Sequence, residues 1–176
     1  MPRPTKHNPL CTDVNTRLGE TLAYIGIGGN LGDARATVED AIARLARLPA
    51  TRLLRISPLY RTAPVDAGGD DYINAVAQLA TTLPPHDLLR ALQAIELDHG
   101  RQRPYRNAPR TLDLDLLMME QQVLDTPDLI LPHPRMARRA FVLAPLLDIV
   151  PDLVIPGAGS ARDCLARITD QPIRKL

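Results

Sequence analysis

Apolar residues follow two different spacings along the chain, and the changes between them predict strands and helices. The run 22–28 is apolar and partly β-branched, which predicts a first strand. The glycine-rich segment 28–32 is expected to form a tight turn after it. Asp33 is then a candidate N-cap for a helix whose apolar positions recur at helical spacing: Val38, Ala41, Ile42, Leu45 and Leu48.

Segments with strand spacing and segments with helical spacing continue to follow one another through the rest of the chain. Three more strands are predicted, the first of them bulged at Pro58: 52–61, 72–82 and 111–118. Three more helical segments are predicted: 84–100, 141–149 and 162–168. The order β-α-β-β-α-β, with helical additions at its end, predicts an α+β fold of the ferredoxin-like, split βαβ type. Its antiparallel sheet is expected to carry helices packed on one face.

The start of the chain differs from the remainder. Residues 1–20 contain three prolines and no apolar period, which predicts a flexible N-terminal extension before a single domain over 21–176. The extension has no apolar segment typical of a signal peptide. The longest apolar run is 140–147, and a membrane span needs roughly 20 residues. Two isolated cysteines exclude a disulfide scaffold, so a cytoplasmic protein with no membrane partner is expected.

Composition narrows the class of protein further. Hydrophobic residues make up 45% of the chain and the net charge is +1, which argues against disorder and against a general nucleic-acid binder. The balanced charge favours a monomer. Aromatic residues make up only 3%, with no Trp to stack on single strands. Of the 21 basic residues, all but Lys6 and Lys175 are Arg. The planar guanidinium group suits phosphate binding, and the alternative explanation of the bias is the codon usage of a GC-rich genome.

Two aspartates in the last predicted strand carry the strongest chemical signal. Strand side chains alternate between faces, so Leu112 and Leu114 point to one side and Asp113 and Asp115 to the other. Two like charges on one face repel, so something must offset them. Mg²⁺ suits carboxylate oxygens and leaves its other positions to water and phosphates. The alternative is a solvated strand face on which neighbouring arginines neutralise the pair.

Basic residues flank this strand on both sides. Four precede it in a proline-containing loop: Arg101, Arg103, Arg106 and Arg110. They either form salt bridges with the aspartates or clamp the oxygens of a polyphosphate. His133 lies between two prolines and shortly before three arginines, in a segment that resembles an anion-facing loop; a structural hydrogen-bonding role is the alternative. The chain has no arrangement typical of a covalent nucleophile.

Two other candidates are weaker. The glycines of 26–32 fit neither the dinucleotide-binding motif nor the P-loop, which leaves a structural role in a turn. Gln93 and Glu96 lie three residues apart on the second predicted helix, away from its apolar stripe, and alone they indicate only a polar face.

Three stretches, taken together, resemble one enzyme family. They comprise 60–64 with 71–75, then 93–115, then 131–136 with 139–146. The segments Pro-Arg-Thr-Leu-Asp-Leu-Asp and Leu-Pro-His-Pro-Arg are specific in combination. Over 22–170 the chain resembles 6-hydroxymethyl-7,8-dihydropterin pyrophosphokinase of folate biosynthesis. The resemblance implies a ferredoxin-like fold and a Mg²⁺-dependent transfer of pyrophosphate from ATP to the hydroxymethyl group of the reduced pterin, with release of AMP.

Matching this family position by position implies a role for each site residue. Asp113 and Asp115 resemble the ligands of two Mg²⁺ ions that bridge ATP phosphates and the acceptor hydroxyl. Arg101 and Arg110 resemble the catalytic arginines. The residues implied in ATP binding are Gln93, Glu96, Arg103, Thr111, His133 and Arg139. Those implied in pterin binding are two sandwiching rings and three groups at the pterin edge: Tyr72, Phe141, Thr62, Asn74 and the backbone near Val65.

The chain departs from the family pattern at one place. Many members carry a Trp shortly before the Pro-Arg-Thr segment that packs over the pterin, whereas 106–108 reads Arg-Asn-Ala here, with Tyr105 as the candidate substitute. Two other functions are considered: a catalytically degenerate module that binds pterin or nucleotide, and a phosphotransferase with another acceptor. Retention of the metal positions argues against the first, and retention of the pterin positions argues against the second.

Overall fold

The computed structural model describes residues 15–64, 69–100 and 111–176. Its first half contains β1 (Thr21–Gly29), α1 (Ala34–Leu45), β2 (Thr51–Ile56), β3 (Tyr60–Thr62), β4 (Tyr72–Thr81), α2 (Pro85–Asp98) and β5 (Asp113–Met119). Its second half contains β6 (Leu124–Asp125), β7 (Ile130–Leu131), a 3₁₀ turn (Met136–Arg138), α3 (Ala140–Ile149), β8 (Val154–Ile155), β9 (Gly159–Ser160), α4 (Ala161–Ala166) and β10 (Ile173–Lys175).

Six of these strands form one antiparallel sheet in the order β10-β3-β4-β1-β5, with β2 also paired to β4. Strands β2 and β3 share one side of β4, because β1 pairs with the other side along almost its whole length. The arrangement of β5, β1, β4 and the β2–β3 edge is that of the split βαβ fold. The predicted α+β, ferredoxin-like class is confirmed.

Helices cover both faces of this sheet, so the prediction of helices on one face is wrong. The apolar stripes of α1 and α2 pack on one face in the first core, as their spacing predicts. Helices α3 and α4 pack on the other face in a second core. The reason lies in α3, which buries Val142, Leu143, Leu146 and Ile149. A helix this apolar must itself be covered, and it needs a second apolar sheet face.

The alternation predicted in β5 is present. Leu114 and Leu116 lie in the first core, and the side chain between them, Asp115, points to the opposite face of the sheet. A register shift opposite Tyr24 lets both Leu117 and Met118 face the second core. The carboxylates of β5 therefore share a face with α3.

The predicted strand 52–61 is divided in two at Pro58. Proline has no N–H for the ladder, so pairing stops there. Ser57 replaces part of it, because its N–H donates to the Val76 carbonyl at 2.9 Å and its Oγ accepts from the Val76 N–H at 2.9 Å. The chain then resumes as β3, which carries Thr62 into the site described below.

Local signals set the helix ends. The Asp33 carboxylate accepts from the Ala36 N–H at 3.0 Å, which confirms the predicted N-cap. Gly100 follows α2 with a φ of +72°, as expected of a helix-ending glycine. Before the sheet, the Glu20 carboxylate accepts from Arg52 at 2.9 and 2.7 Å. Residues 1–14 of the predicted extension lie outside the described residues, and the division at residue 20 stays a prediction.

Three features were not expected from the sequence: the hairpins β6–β7 and β8–β9, and strand β10. The last of these pairs with β3 and forms one edge of the main sheet. Among the helices that the structure describes, none is both long and apolar enough to cross a membrane.

Candidate active site

One row of directly paired residues crosses the sheet. It runs from β10 to β5 through Lys175, Tyr60, Asn74, Gly28 and Asp113. Residues directly opposite each other in an antiparallel ladder point to the same face. This row points to the face that carries α3, because the Tyr60 hydroxyl bonds to Asp148 of that helix. Asn74 and Asp113 thus stand on one face, with a glycine between them.

The glycines at this point belong to β1 and not to the turn after it, so that part of the turn prediction is wrong. Gly32, with a φ of +59°, is the glycine that makes the turn. A Cβ on Gly29 would lie 2.4 Å from the Thr111 carbonyl oxygen, and one on Gly28 would lie 2.9 Å from Asn74 Oδ1. Gly28 was missed as a site position, although a glycine inside an apolar strand pattern signals a close approach.

The pterin-edge residues predicted from the resemblance are brought together. Asn74 Nδ2 donates to Thr62 Oγ1 at 2.9 Å, and both residues are buried. Tyr72 pairs with Thr62 in the ladder, and its partly buried side chain lies on the same face as Asn74 two residues later. Val65 lies outside the described residues. An amide and a hydroxyl locked to each other provide a fixed set of hydrogen-bonding groups for a flat polar edge.

The two carboxylates lie beside the first residues of α3. Asp113 and Asp115 are both partly buried, and Arg139 NH1 lies 4.0 Å from Asp115 Oδ2. The same guanidinium lies over the ring of Phe141, 5.4 Å from its centroid. Arg139 therefore links Asp115 to the aromatic ring.

His133 is held as a neutral hydrogen-bond donor. Its backbone N–H donates to the Leu117 carbonyl at 2.8 Å, and its Nδ1 accepts from the Arg135 N–H at 3.1 Å. Because Nδ1 accepts, the ring proton is on Nε2. Burial, followed by the positive charge of Arg139, lowers the pKa of His133 to about 4, against the opposing effect of Asp113.

A cavity of about 260 Å³ lies at the edge strand β5 and adjoins this cluster. Asp115 and His133 contribute polar groups to its wall, and Leu89, Leu116 and Ile130 contribute apolar ones. A cleft whose wall combines apolar side chains with a few polar groups is typical of a small-molecule site.

The remaining residues predicted to bind ATP differ in burial, and some lie outside the described residues. Glu96 is buried, and its Oε1 accepts from the Leu114 N–H at 2.8 Å, so it holds β5 from the side of α2. Gln93 is exposed on α2, and Thr111 is partly buried just before β5. Among the described residues that line the cavity, neither Gln93 nor Glu96 is found. The predicted arginines lie outside the described residues: Arg101, Arg103 and Arg110.

The carboxylate pair fits Mg²⁺ by the chemistry of its donors. Within the described ranges, no three His, Cys, Asp or Glu side chains gather as a closed metal cage would require. Mg²⁺ needs only one or two protein carboxylates when phosphates supply further oxygens. Asp113 and Asp115, both partly buried on one face of β5, are the residues that would hold it.

A family model described as 7,8-dihydro-6-hydroxymethylpterin-pyrophosphokinase (HPPK) matches residues 24–151. The chain belongs to the HPPK family.

Two bacterial members of the HPPK family are similar to the chain over most of their length, and both are named 2-amino-4-hydroxy-6-hydroxymethyldihydropteridine pyrophosphokinase. The protein from Pseudomonas aeruginosa is 46% identical over 154 residues, which cover 87% of this chain and 95% of that one. The protein from Methylorubrum extorquens is 40% identical over 157 residues, which cover 89% and 99%.

Solved HPPK-DHPS structures share the fold. One, in complex with substrates, has a TM-score of 0.64 at 13% identity and is matched over 84% of this chain and 43% of that one. Plasmodium falciparum HPPK-DHPS with pterin and p-hydroxybenzoate has a TM-score of 0.65 at 12% identity, over 84% and 43%. The chain spans less than half the length of these solved chains, and at this identity the likeness shows the fold alone.

Membership of the HPPK family confirms the predicted activity. The chain is a pyrophosphokinase of folate biosynthesis that transfers pyrophosphate from ATP to hydroxymethyldihydropterin.

Proposed function

We propose that this HPPK-family chain carries out its transfer with two Mg²⁺ ions held by Asp113 and Asp115, between ATP at the β5 edge and the pterin beside Asn74. The row through Gly28 supports this most directly, because it puts both halves of the site on one face. Strands β4 and β5 are two strand spacings apart, about 10 Å. A pterin bound by one edge at Asn74 spans that gap and directs its hydroxymethyl group toward the carboxylates.

The pterin is proposed to lie above β1, between two aromatic rings. Asn74 and Thr62, with the backbone near Val65, bind its polar edge, and the rings of Tyr72 and Phe141 lie on its two faces. Stacking of this kind contributes about 0.5–1.5 kcal/mol per aromatic pair beyond the burial of area. Gly28 contributes no side chain, which leaves room for Asn74, whose Oδ1 lies 2.9 Å from the position that a Cβ would take there.

ATP is proposed to place its nucleoside in the cavity beside β5. Its phosphates lie on the sheet face that carries the two carboxylates and α3. His133 donates from Nε2 to a phosphate oxygen, and Arg139 neutralises further charge. Glu96 acts by holding the backbone of β5 from behind through Leu114, which keeps the carboxylates in place. Gln93, Arg103 and Thr111 remain ATP contacts implied by the resemblance.

Charge neutralisation and positioning supply the catalysis. Asp113 and Asp115 would hold the Mg²⁺, which when bound would neutralise charge on the phosphate oxygens and favour ionisation of the acceptor hydroxyl. Arg101 and Arg110 are proposed to stabilise the charge that develops on the transferred group. A direct transfer of this kind needs no covalent nucleophile, which agrees with the sequence.

Three broader expectations remain part of this proposal. A monomer is supported by the balanced charge, because no excess of one sign favours binding to a charged partner. A cytoplasmic location is supported by the use of ATP. The domain division, an extension over 1–20 and a single domain over 21–176, is retained as well.

Release of AMP from ATP and Mg²⁺, measured with and without 6-hydroxymethyl-7,8-dihydropterin, tests the function. Pterin-dependent AMP is expected, and it should disappear when EDTA removes the metal. Formation of ADP would contradict pyrophosphate transfer. Saturable pterin binding with no nucleotide product would instead indicate the catalytically degenerate binding module.

A further inference from the structure

Three side chains from separate elements meet behind the pterin edge, and the mechanism above uses none of them. The Tyr60 hydroxyl donates to Asp148 Oδ2, and Lys175 Nζ donates to Asp148 Oδ1 at 3.0 Å. Lys175 Nζ also lies 5.7 Å from the centroid of the Tyr60 ring. This Tyr60–Asp148–Lys175 cluster joins β3, α3 and β10.

The energetics of the cluster indicate a geometric role. The side chains of Lys175 and Asp148 are 52% and 26% exposed, and ion pairs this accessible contribute little to stability. Tyr60 is buried, and burial together with Asp148 raises the pKa of its hydroxyl, so it remains a donor. The three groups therefore fix the position of β3 more than they stabilise the whole fold.

Strand β3 depends on its neighbours because it has only three residues. Each of them pairs with β4 on one side and with β10 on the other. The Leu176 N–H continues this ladder by donating to the Leu59 carbonyl at 2.9 Å. Without β10, β3 would be a short edge strand held on one side only, at the point where it presents Thr62.

The connection to the pterin site runs through Thr62. Its Oγ1 accepts from Asn74 Nδ2 at 2.9 Å and so fixes how the Asn74 amide is turned. In the ladder Thr62 lies opposite Ile173 of β10, and Tyr60 lies opposite both Lys175 and Asn74. A displacement of β3 therefore rotates or frees the amide that faces the substrate.

We propose that β10, with Lys175 as its main positioning residue, holds the Thr62–Asn74 pair in the geometry that binds the pterin. This inference rests on the proposed pterin site. It makes the strand a determinant of pterin affinity and leaves ATP binding, at the opposite edge of the sheet, independent of it.

Steady-state kinetics on three variants test the proposal. Removal of residues 173–176 should raise the KM for the pterin about tenfold, and Lys175→Met should raise it severalfold, as expected for a weakened hydrogen-bonding geometry. The KM for ATP and kcat should stay within about twofold. Lys175→Arg should have a pterin KM close to that of the wild type, unlike Lys175→Met, because the positive charge is retained. Arg174→Met is the matched control, since Arg174 is exposed and points to the other face.

Other outcomes overturn the proposal. A lower Tm with an unchanged pterin KM would make β10 merely structural, and equal losses of pterin and ATP affinity would indicate general loosening. Where the shortened chain does not fold, Lys175→Met decides. Asn74→Ala separates the two proposals: if it leaves the pterin KM unchanged, the pterin site itself is misplaced. If it raises the KM while removal of β10 does not, only the role of β10 fails.

Discussion

Asn74 Oδ1 lies 2.9 Å from the position that a Cβ atom would take on Gly28. Real Cβ atoms do not approach oxygen so closely, and Asn74 is buried and bonded to Thr62. The glycine and the asparagine therefore depend on each other. Four expected outcomes follow from this site.

Gly28→Ala should raise the pterin KM about tenfold. The added methyl group displaces Asn74 and breaks its hydrogen bond to Thr62, which is worth about 1 kcal/mol, and it also takes up space proposed for the pterin ring. Steady-state kinetics with each substrate varied in turn measure this. Gly26→Ala is the control on the same strand and face, since its methyl would meet only ordinary contacts at 3.5 Å and beyond. Equal behaviour of the two variants would contradict the assignment.

Asp113→Asn and Asp115→Asn should each reduce Mg²⁺-dependent AMP release by at least about a thousandfold, because the metal loses a charged ligand. Each should leave Tm unchanged or slightly higher, since one of two repelling charges is removed. Asp125→Asn, on an exposed position of β6, is the control. Full activity, or unfolding of both variants, would refute these roles.

Arg110→Ala should lower kcat by roughly 10²–10⁴ with small effects on either KM, as for loss of a group that stabilises charge in the transition state. Arg106→Ala removes a neighbouring arginine to which the resemblance gives no role, and it should keep kcat within about twofold. Single-turnover measurements isolate the chemical step. An unchanged rate in the Arg110 variant would remove this residue from catalysis.

The pKa of about 4 for His133 predicts a pH-dependent stability. The unfolded chain takes up a proton near pH 6.5 and the folded protein does not. Stability from this residue is therefore complete above that pH and is lost as the pH falls toward 4. Urea unfolding gives the free energy of unfolding of the wild type and of His133→Gln at each pH. Plotted against pH, the two free energies should run parallel above neutrality. Below it, the wild type should lose more stability than the variant, and parallel curves throughout would contradict a depressed pKa.

Local patterns predicted those parts of the site that depend on neighbours in the sequence. The two faces of β5 follow from alternation alone, so Asp113 and Asp115 could be placed together before any strand partner was known. The caps at Asp33 and Gly100 are local for the same reason.

Pairing between distant segments could not be predicted in the same way. Strand β10 contains one apolar residue followed by two charged ones, and its pairing with β3 spans more than a hundred residues. The hydrogen bond from the Leu114 N–H to Glu96 crosses from β5 to α2, so periodicity along α2 indicated only a polar face. The sequence places Gly28 only at the junction of the first strand and the turn, because nothing local shows that Asn74 stands beside it.

The partly buried backbone of β1 at Gly28, between Asn74 and Asp113, has a consequence for inhibitor design. A compound that rests on this stretch touches main-chain atoms, which substitution cannot change. Any side chain introduced at Gly28 to exclude the compound would also push Asn74 aside, and with it the natural substrate. Drug resistance through this position would therefore reduce the fitness of the cell that acquires it.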